Sequence, residues 1–198
     1  MEPKARPEQL GFDTQRLQRI NDWLQRYIDE GKFAGSSVLI ARHGQPVYLK
    51  AVGQRSLAQT KPFSADTIAR IYSMTKPIAT VGLMLLVERG LLSLTAPIDQ
   101  FLPEFAHCQA LIPGATAGDQ LEVAATPTVH QLLTHTAGFT YVFNSGVLGN
   151  LYQQHNIDFN PNTGTLAQRT KDLATMPLAF QPGSRWEYSV SIDVIGRI

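Results

Sequence analysis

From Asp13 to Glu30 the apolar residues Leu17, Ile20, Trp23, Leu24, Tyr27 and Ile28 form one stripe of a 3.6-residue helix. Asp13 supplies an N-cap, Gly31 a stop, and Phe12 and Leu17 hold the positions of a hydrophobic staple. The rhythm then shortens. Ser36 to Arg42 and Pro46 to Val52 are β-rich runs joined through His43-Gly44-Gln45, the pattern of a hairpin. A helix followed by a hairpin predicts a helix packed on one face of an antiparallel sheet. No third strand stands out beyond short extended pieces at Ile68 to Tyr72 and Leu121 to Ala124, and two strands alone make a poor sheet.

Met74 to Arg89 is apolar almost all round, with Ile78, Val81, Leu85 and Leu86 among its apolar residues, which predicts a buried helix closed by Gly90. Pro77 is tolerable only in a first turn, so the helix begins close to Ser73. Pro97 to Pro127 is rich in turns. Thr128-Val129-His130-Gln131 reads as a capping box opening a short helix that stops at Gly138. Thr165-Leu166-Ala167-Gln168 is a second such box, for a helix ending before Pro177. Phe139 to Gly164, with glycines and Pro161, reads as a long irregular segment of the kind that often carries function. Ile192 to Ile198 opens an amphipathic helix with no stop signal, which suggests a truncated sequence.

Composition narrows the classes. With 198 residues, 43% hydrophobic and 17% charged, the chain can bury a substantial core as one domain or two small ones. The net charge of +1 removes the electrostatic reason to expect nucleic acid or an anionic membrane as partner. Cys108 is the sole cysteine, so no internal disulfide or cysteine-based metal site can form, and it reads as a small buried residue. Met1 to Gly11 lacks an apolar signal core, and the apolar run Val81 to Val87 is too short to span a bilayer. The expectation is a soluble cytoplasmic protein, or a periplasmic one if a signal was removed.

Ser73-Met74-Thr75-Lys76 carries the candidate chemistry. Positions i and i+3 share a helix face, so the Ser73 hydroxyl and the Lys76 amine can meet. A serine is a weak nucleophile until a base takes its proton, and a neutral lysine can be that base. A helix N-terminus and burial both lower the proton affinity of such a lysine. The same spacing also suits an N-cap serine beside a solvated lysine. In Trp186-Glu187-Tyr188-Ser189-Val190, Tyr188 can relay a proton if brought beside Ser73 and Lys76, or it can be a hydrogen-bonded buried tyrosine. No Gly-x-Ser-x-Gly elbow, HExxH, P-loop or GxGxxG is present. His43, His107, His130, His135 and His155 lack metal-ligand spacing and read as packing or surface residues.

Three ordered blocks carry a resemblance. They are Tyr72-Ser73-Met74-Thr75-Lys76-Pro77 with its helix to Gly90; His130-Gln131-Leu132-Leu133-Thr134-His135-Thr136-Ala137-Gly138-Phe139; and Phe180 to Ser189 followed by Asp193-Val194-Ile195-Gly196-Arg197. Together they resemble the serine β-lactamase-related family: class C β-lactamases, D-alanyl-D-alanine carboxypeptidases and family VIII carboxylesterases. The resemblance implies a two-domain α/β serine β-lactamase/transpeptidase-like fold, an antiparallel sheet flanked by helices plus a helical domain. Residues 10–72 would begin the α/β domain and 73–198 would form an incomplete helical domain. It implies Ser73 as the acylated nucleophile, Lys76 as its base, and Tyr188 as the proton shuttle to the leaving group. The Ser73 backbone N–H would form half of the oxyanion hole, and no metal or organic cofactor is implied.

Two departures refine the expectation. Where β-lactamases and carboxypeptidases of the family carry Tyr-x-Asn, this chain has Tyr188-Ser189-Val190, and valine cannot hydrogen-bond a substrate amide. That favours a small-molecule ester, hence a carboxylesterase, over the β-lactamase or carboxypeptidase alternative. The family's third motif would lie beyond Ile198, so the chain alone is expected to be inactive. A non-catalytic binding protein on the same fold is the alternative of another class.

Overall fold

The computed structural model describes residue 3, residues 5–160 and residues 164–198. It divides into two compact units, Met1–Arg70 and Ile71–Ile198.

In the first unit, α1 (Thr14–Asp29) starts where Asp13 caps it, the Asp13 carboxylate accepting from the Arg16 N–H at 2.9 Å. Leu17 and Leu24 are its buried residues. Strands β1 (Gly35–Arg42) and β2 (Gln45–Ser56) pair antiparallel, Leu39 opposite Leu49, with a register shift between Ile40 and Ala41. The link is His43-Gly44, both at positive φ (49° and 72°), as a tight primed hairpin turn requires. Asn21 of α1 accepts a hydrogen bond from the Tyr48 hydroxyl of β2, tying the helix to the sheet.

The sheet has a third strand that the sequence pattern hides. Strand β3 (Gln59–Pro62) pairs antiparallel with the far end of β2, giving the order β1-β2-β3. Four residues without apolar alternation, ending in proline, suit a sheet edge and give no periodic signal. The piece at Ile68 to Tyr72 forms no strand.

The second unit holds the larger core. Helix α2 (Thr75–Glu88) lays Leu83 into it, with Ala79, Leu86 and Val87 packed alongside. The expectation of all-round burial fails here: Ile78, Val81, Met84 and Leu85 are exposed. Their apolar character matches that of the packed stripe, so composition could not separate the two faces. Strands β4 (Gln109–Leu111) and β5 (Leu121–Val123) form a small antiparallel pair inside the turn-rich region.

The capping box at α3 (Val129–Leu133) is complete: Thr128 Oγ1 accepts from the Gln131 N–H, and Gln131 Oε1 accepts from the Thr128 N–H. The helix ends well before Gly138, because Thr134 has left helical geometry and His135 has φ 55°. The segment expected to be irregular contains α4 (Val147–Gln154), which buries Leu148 and Tyr152; Pro161 lies outside the described residues. Helix α5 (Leu166–Ala174) is capped by Thr165, but Gln168 turns to Asp172 instead of completing a box. Helix α6 (Ser191–Ile195) buries Ile192, Val194 and Ile195.

Candidate active site

Ser73 lies two residues before α2, in a single 3-10 turn (Tyr72–Met74) that runs straight into the helix. The preceding residue, Tyr72, has φ 45°, a left-handed conformation that costs a non-glycine residue about 1–2 kcal/mol. No side chain caps α2 or this turn, so the Ser73 hydroxyl is not an N-cap. Its partners are those of a reactive group. Lys76 Nζ donates to Ser73 Oγ at 3.3 Å, and the Tyr188 hydroxyl lies 2.8 Å from the same oxygen, donating to it. The first pair comes from local spacing; the second joins residues far apart in the chain.

Tyr188 reaches this position because the segment bearing it is fastened to the second sequence block. Gly183 N–H donates to Thr136 O at 2.8 Å, and Glu187 N–H donates to His135 O at 2.9 Å. Ala179 N–H donates to Gly138 O at 2.7 Å. Gly138 is at φ 94°, and a Cβ there would stand 2.7 Å from Phe180 O and 2.9 Å from Leu178 Cβ. Only glycine lets the two segments approach this closely. Thr140 donates its hydroxyl to Glu187, and Asn144 Nδ2 donates to Thr140 Oγ1. The second and third sequence blocks are therefore one hydrogen-bonded assembly.

Lys76 sits among aromatic rings. Its Nζ is 4.8 Å from the Tyr188 ring centroid and 5.5 Å from that of Tyr141, distances at which a cation is held by ring faces. Tyr141 also contacts the Tyr188 ring at 5.4 Å and stacks on Phe143 at 4.8 Å. Tyr141 was not singled out from the sequence. It falls two residues after the second block, at the start of the stretch that reads as loop, where nothing local marks it.

The electrostatics differ from the expectation of a lysine with lowered proton affinity. Burial does push Lys76 down, but the phenol oxygens of Tyr141 and Tyr188 together outweigh it, and its pKa lies above the ordinary lysine value. The two phenols move apart. The hydrogen bond with Ser73, then that with Lys76, lowers Tyr188. Burial raises Tyr141 despite the same lysine. Environments that separate otherwise equal groups assign them different proton roles. Here the charged form of Lys76 is favoured, and Tyr188 is the phenol closer to ionising.

Val190 is buried at 2% exposure, so position 190 presents no hydrogen-bonding side chain. A separate cavity of about 420 Å³ is lined by Leu111, Glu122, Thr140, Gly146, Arg185 and Glu187 among others, and by none of Ser73, Lys76 and Tyr188. Among the described residues no group of three or more His, Cys, Asp or Glu side chains could hold a metal ion, and no helix is long and apolar enough to cross a membrane.

Known proteins resemble this chain over most of its length. The family model described as Beta-lactamase matches residues 20–198. Esterase EstB of Burkholderia gladioli is 34% identical over 195 residues, which is 97% of this chain and 47% of the esterase. The lovastatin esterase of Penicillium rubens is 33% identical over 180 residues, 88% of this chain and 44% of that enzyme. Among solved structures, EstCE1, a hydrolase with promiscuous acyltransferase activity, superposes with a TM-score of 0.77 at 33% identity, over 91% of this chain and 45% of EstCE1. The chain thus spans about half the length of the curated relatives it matches.

Proposed function

Because the chain belongs to the beta-lactamase family, we propose that it carries the nucleophile and proton-transfer residues of a serine hydrolase acting on short-chain carboxylic esters. The observation that carries this reading is the convergence of Tyr188 and Lys76 on one oxygen, Ser73 Oγ. Residues 10–72 are then the start of the α/β domain, and 73–198 the part of the helical domain that bears the site.

The proton inventory suggests a sequence of steps. Lys76 stays an ammonium, and its charge supports the phenolate of Tyr188. The resting Tyr188 hydroxyl donates to Ser73 Oγ; once it has given its proton to solvent, the phenolate takes the Ser73 proton as Ser73 Oγ attacks the ester carbonyl carbon. The tetrahedral adduct collapses with loss of the alkoxy group, which leaves as the alcohol by taking the proton from Tyr188. An acyl-Ser73 ester remains. Water then repeats the cycle: Tyr188 removes its proton as the water oxygen bonds to the acyl carbon, the Ser73–acyl bond breaks, Ser73 Oγ takes the proton back from Tyr188 and the acid departs. Lys76 in this scheme tunes and orients the base more than it accepts the proton itself.

The ester preference rests on Val190. A hydrogen-bonding side chain at that position would favour amide and β-lactam substrates, and a core valine supplies none. The esterases among the relatives support the same direction. A second reading, transfer of the acyl group to an alcohol in place of water, is favoured by the likeness to EstCE1.

The test uses the complete protein containing this chain, assayed on p-nitrophenyl acetate and butyrate beside a chromogenic cephalosporin. Ester turnover lost in Ser73→Ala supports the proposal. Equal turnover in the Ser73→Ala variant refutes it, and faster cephalosporin than ester hydrolysis replaces the esterase with a β-lactamase.

A further inference from the structure

His135 is assigned no part in the steps above, yet it holds Tyr188 from both sides along the chain. Its backbone carbonyl accepts from the Glu187 N–H at 2.9 Å, and its ring Nδ1 accepts from the Ser189 N–H at 3.3 Å. These are the residues immediately before and after Tyr188. The imidazole itself lies against the Tyr188 ring, 4.8 Å between centroids, and meets Trp186 edge-on at 6.4 Å. To make these contacts His135 adopts φ 55°. Such a conformation is uncommon for a non-glycine residue and persists only where the surroundings enforce it.

We propose that His135 is a positioning residue that clamps the Glu187–Ser189 segment and so sets the Tyr188 hydroxyl against Ser73. This inference rests on the serine-hydrolase reading of the site and adds a residue to it. The clamp needs a neutral imidazole, because Nδ1 must accept the Ser189 N–H, which puts the ring proton on Nε2. Ser189 Oγ lies 3.3 Å from the same Nδ1 and 2.8 Å from Ser191 Oγ, so the clamp extends into the buried start of α6. A ring that served only to fill space would not need its acceptor nitrogen aimed at a backbone N–H. Burial, followed by the positive charge of Lys76, lowers the His135 pKa and so favours that neutral form.

Three substitutions separate clamping from filling. His135→Asn keeps an acceptor close to the Nδ1 position, and asparagine tolerates positive φ. His135→Gln places its oxygen farther out, near the Nε2 position, and suits positive φ poorly. His135→Ala removes the acceptor altogether. In the complete protein, steady-state hydrolysis of p-nitrophenyl butyrate is measured with the rate at which a fluorophosphonate labels Ser73, and folding is followed by thermal melting.

Loss of the Ser189 partner should lower kcat by about tenfold to a hundredfold in His135→Ala, with KM changed by less than about threefold. The labelling rate should fall by a similar factor, and His135→Asn should recover most of both. If His135→Ala does not fold, the comparison of His135→Asn with His135→Gln decides, the asparagine variant being expected to be faster. Wild-type kcat in folded His135→Ala overturns the clamp while leaving the serine-hydrolase reading standing. An asparagine variant no faster than the alanine or glutamine variant also overturns it. A wild-type protein whose Ser73 is not labelled overturns both readings together.

Discussion

Tyr188→Phe isolates one hydroxyl. The substitution removes the oxygen that lies 2.8 Å from Ser73 Oγ and leaves the ring in place. That ring keeps its approach to Lys76 at 4.8 Å and its contacts with His135 and Tyr141 at 4.8 Å and 5.4 Å. The lost hydrogen bond is partly solvated, so the effect on stability should stay near about 1 kcal/mol. The kinetic effect should be far larger. A positioned acid–base group contributes about 10²–10⁴ in rate, or roughly 3–5 kcal/mol of barrier. Lys76 remains 3.3 Å from Ser73 Oγ, but its raised proton affinity makes it a poor replacement for the phenol. Steady-state ester hydrolysis by the complete protein, with thermal melting of the same samples, should show kcat down by at least about a hundredfold and a nearly unchanged midpoint. A kcat within about threefold of wild type would show that Tyr188 does not carry the proton, and the assignment built on its lowered pKa would fall.

The remaining predictions concern packing and protonation. Gly138→Ala forces a side chain against Phe180 O and Leu178 at positive φ, and should cost roughly 1–3 kcal/mol in denaturant unfolding; a neutral result would mean the two blocks can separate without loss. His135 binds a proton less readily when folded than at its ordinary value of 6.5, for the burial and Lys76 charge that surround it. The unfolded chain therefore takes up protons that the folded chain refuses, so stability is fully present above that value and falls as the pH drops through it towards the folded pKa. Melting midpoints in mildly acidic buffer should fall more for wild type than for His135→Asn, and parallel curves would refute the assignment. The Cys108 thiol is pushed up to about 11 by burial and then by the charge of Asp99, and it donates to Phe105 O. Thiol-reactive disulfide reagents at neutral pH should modify it slowly in the native state and quickly in urea.

What could be read from residue order depended on how local each signal was. Helix α1, the β1–β2 hairpin and the Thr128 capping box are written in neighbours a few residues apart, and the structure has all three. Strand β3 is polar and owes its existence to pairing with β2, so nothing within it signals a strand. Helix α4 has its stripe at Val147, Leu148, Leu151 and Tyr152, but Gly146 and Gly149 weaken the local helical signal. The site divides in the same way. Ser73 and Lys76 meet through a spacing that the sequence displays directly. Tyr188 could be placed beside them only by resemblance. The contacts of Tyr141 and His135 cross about fifty residues of chain, and no periodicity reports them. The proton affinity of Lys76 was the least legible property, because its sign depends on two phenols brought in from elsewhere in the chain.

The central claim is that Ser73 is a nucleophile activated by its two neighbours. The direct measurement is to treat the complete protein with a fluorophosphonate and locate the adduct by peptide mass spectrometry. A single adduct on Ser73, absent in Ser73→Ala and slowed in Tyr188→Phe, is the predicted result. An unmodified Ser73, or an adduct on another residue with Ser73 untouched, would contradict the account.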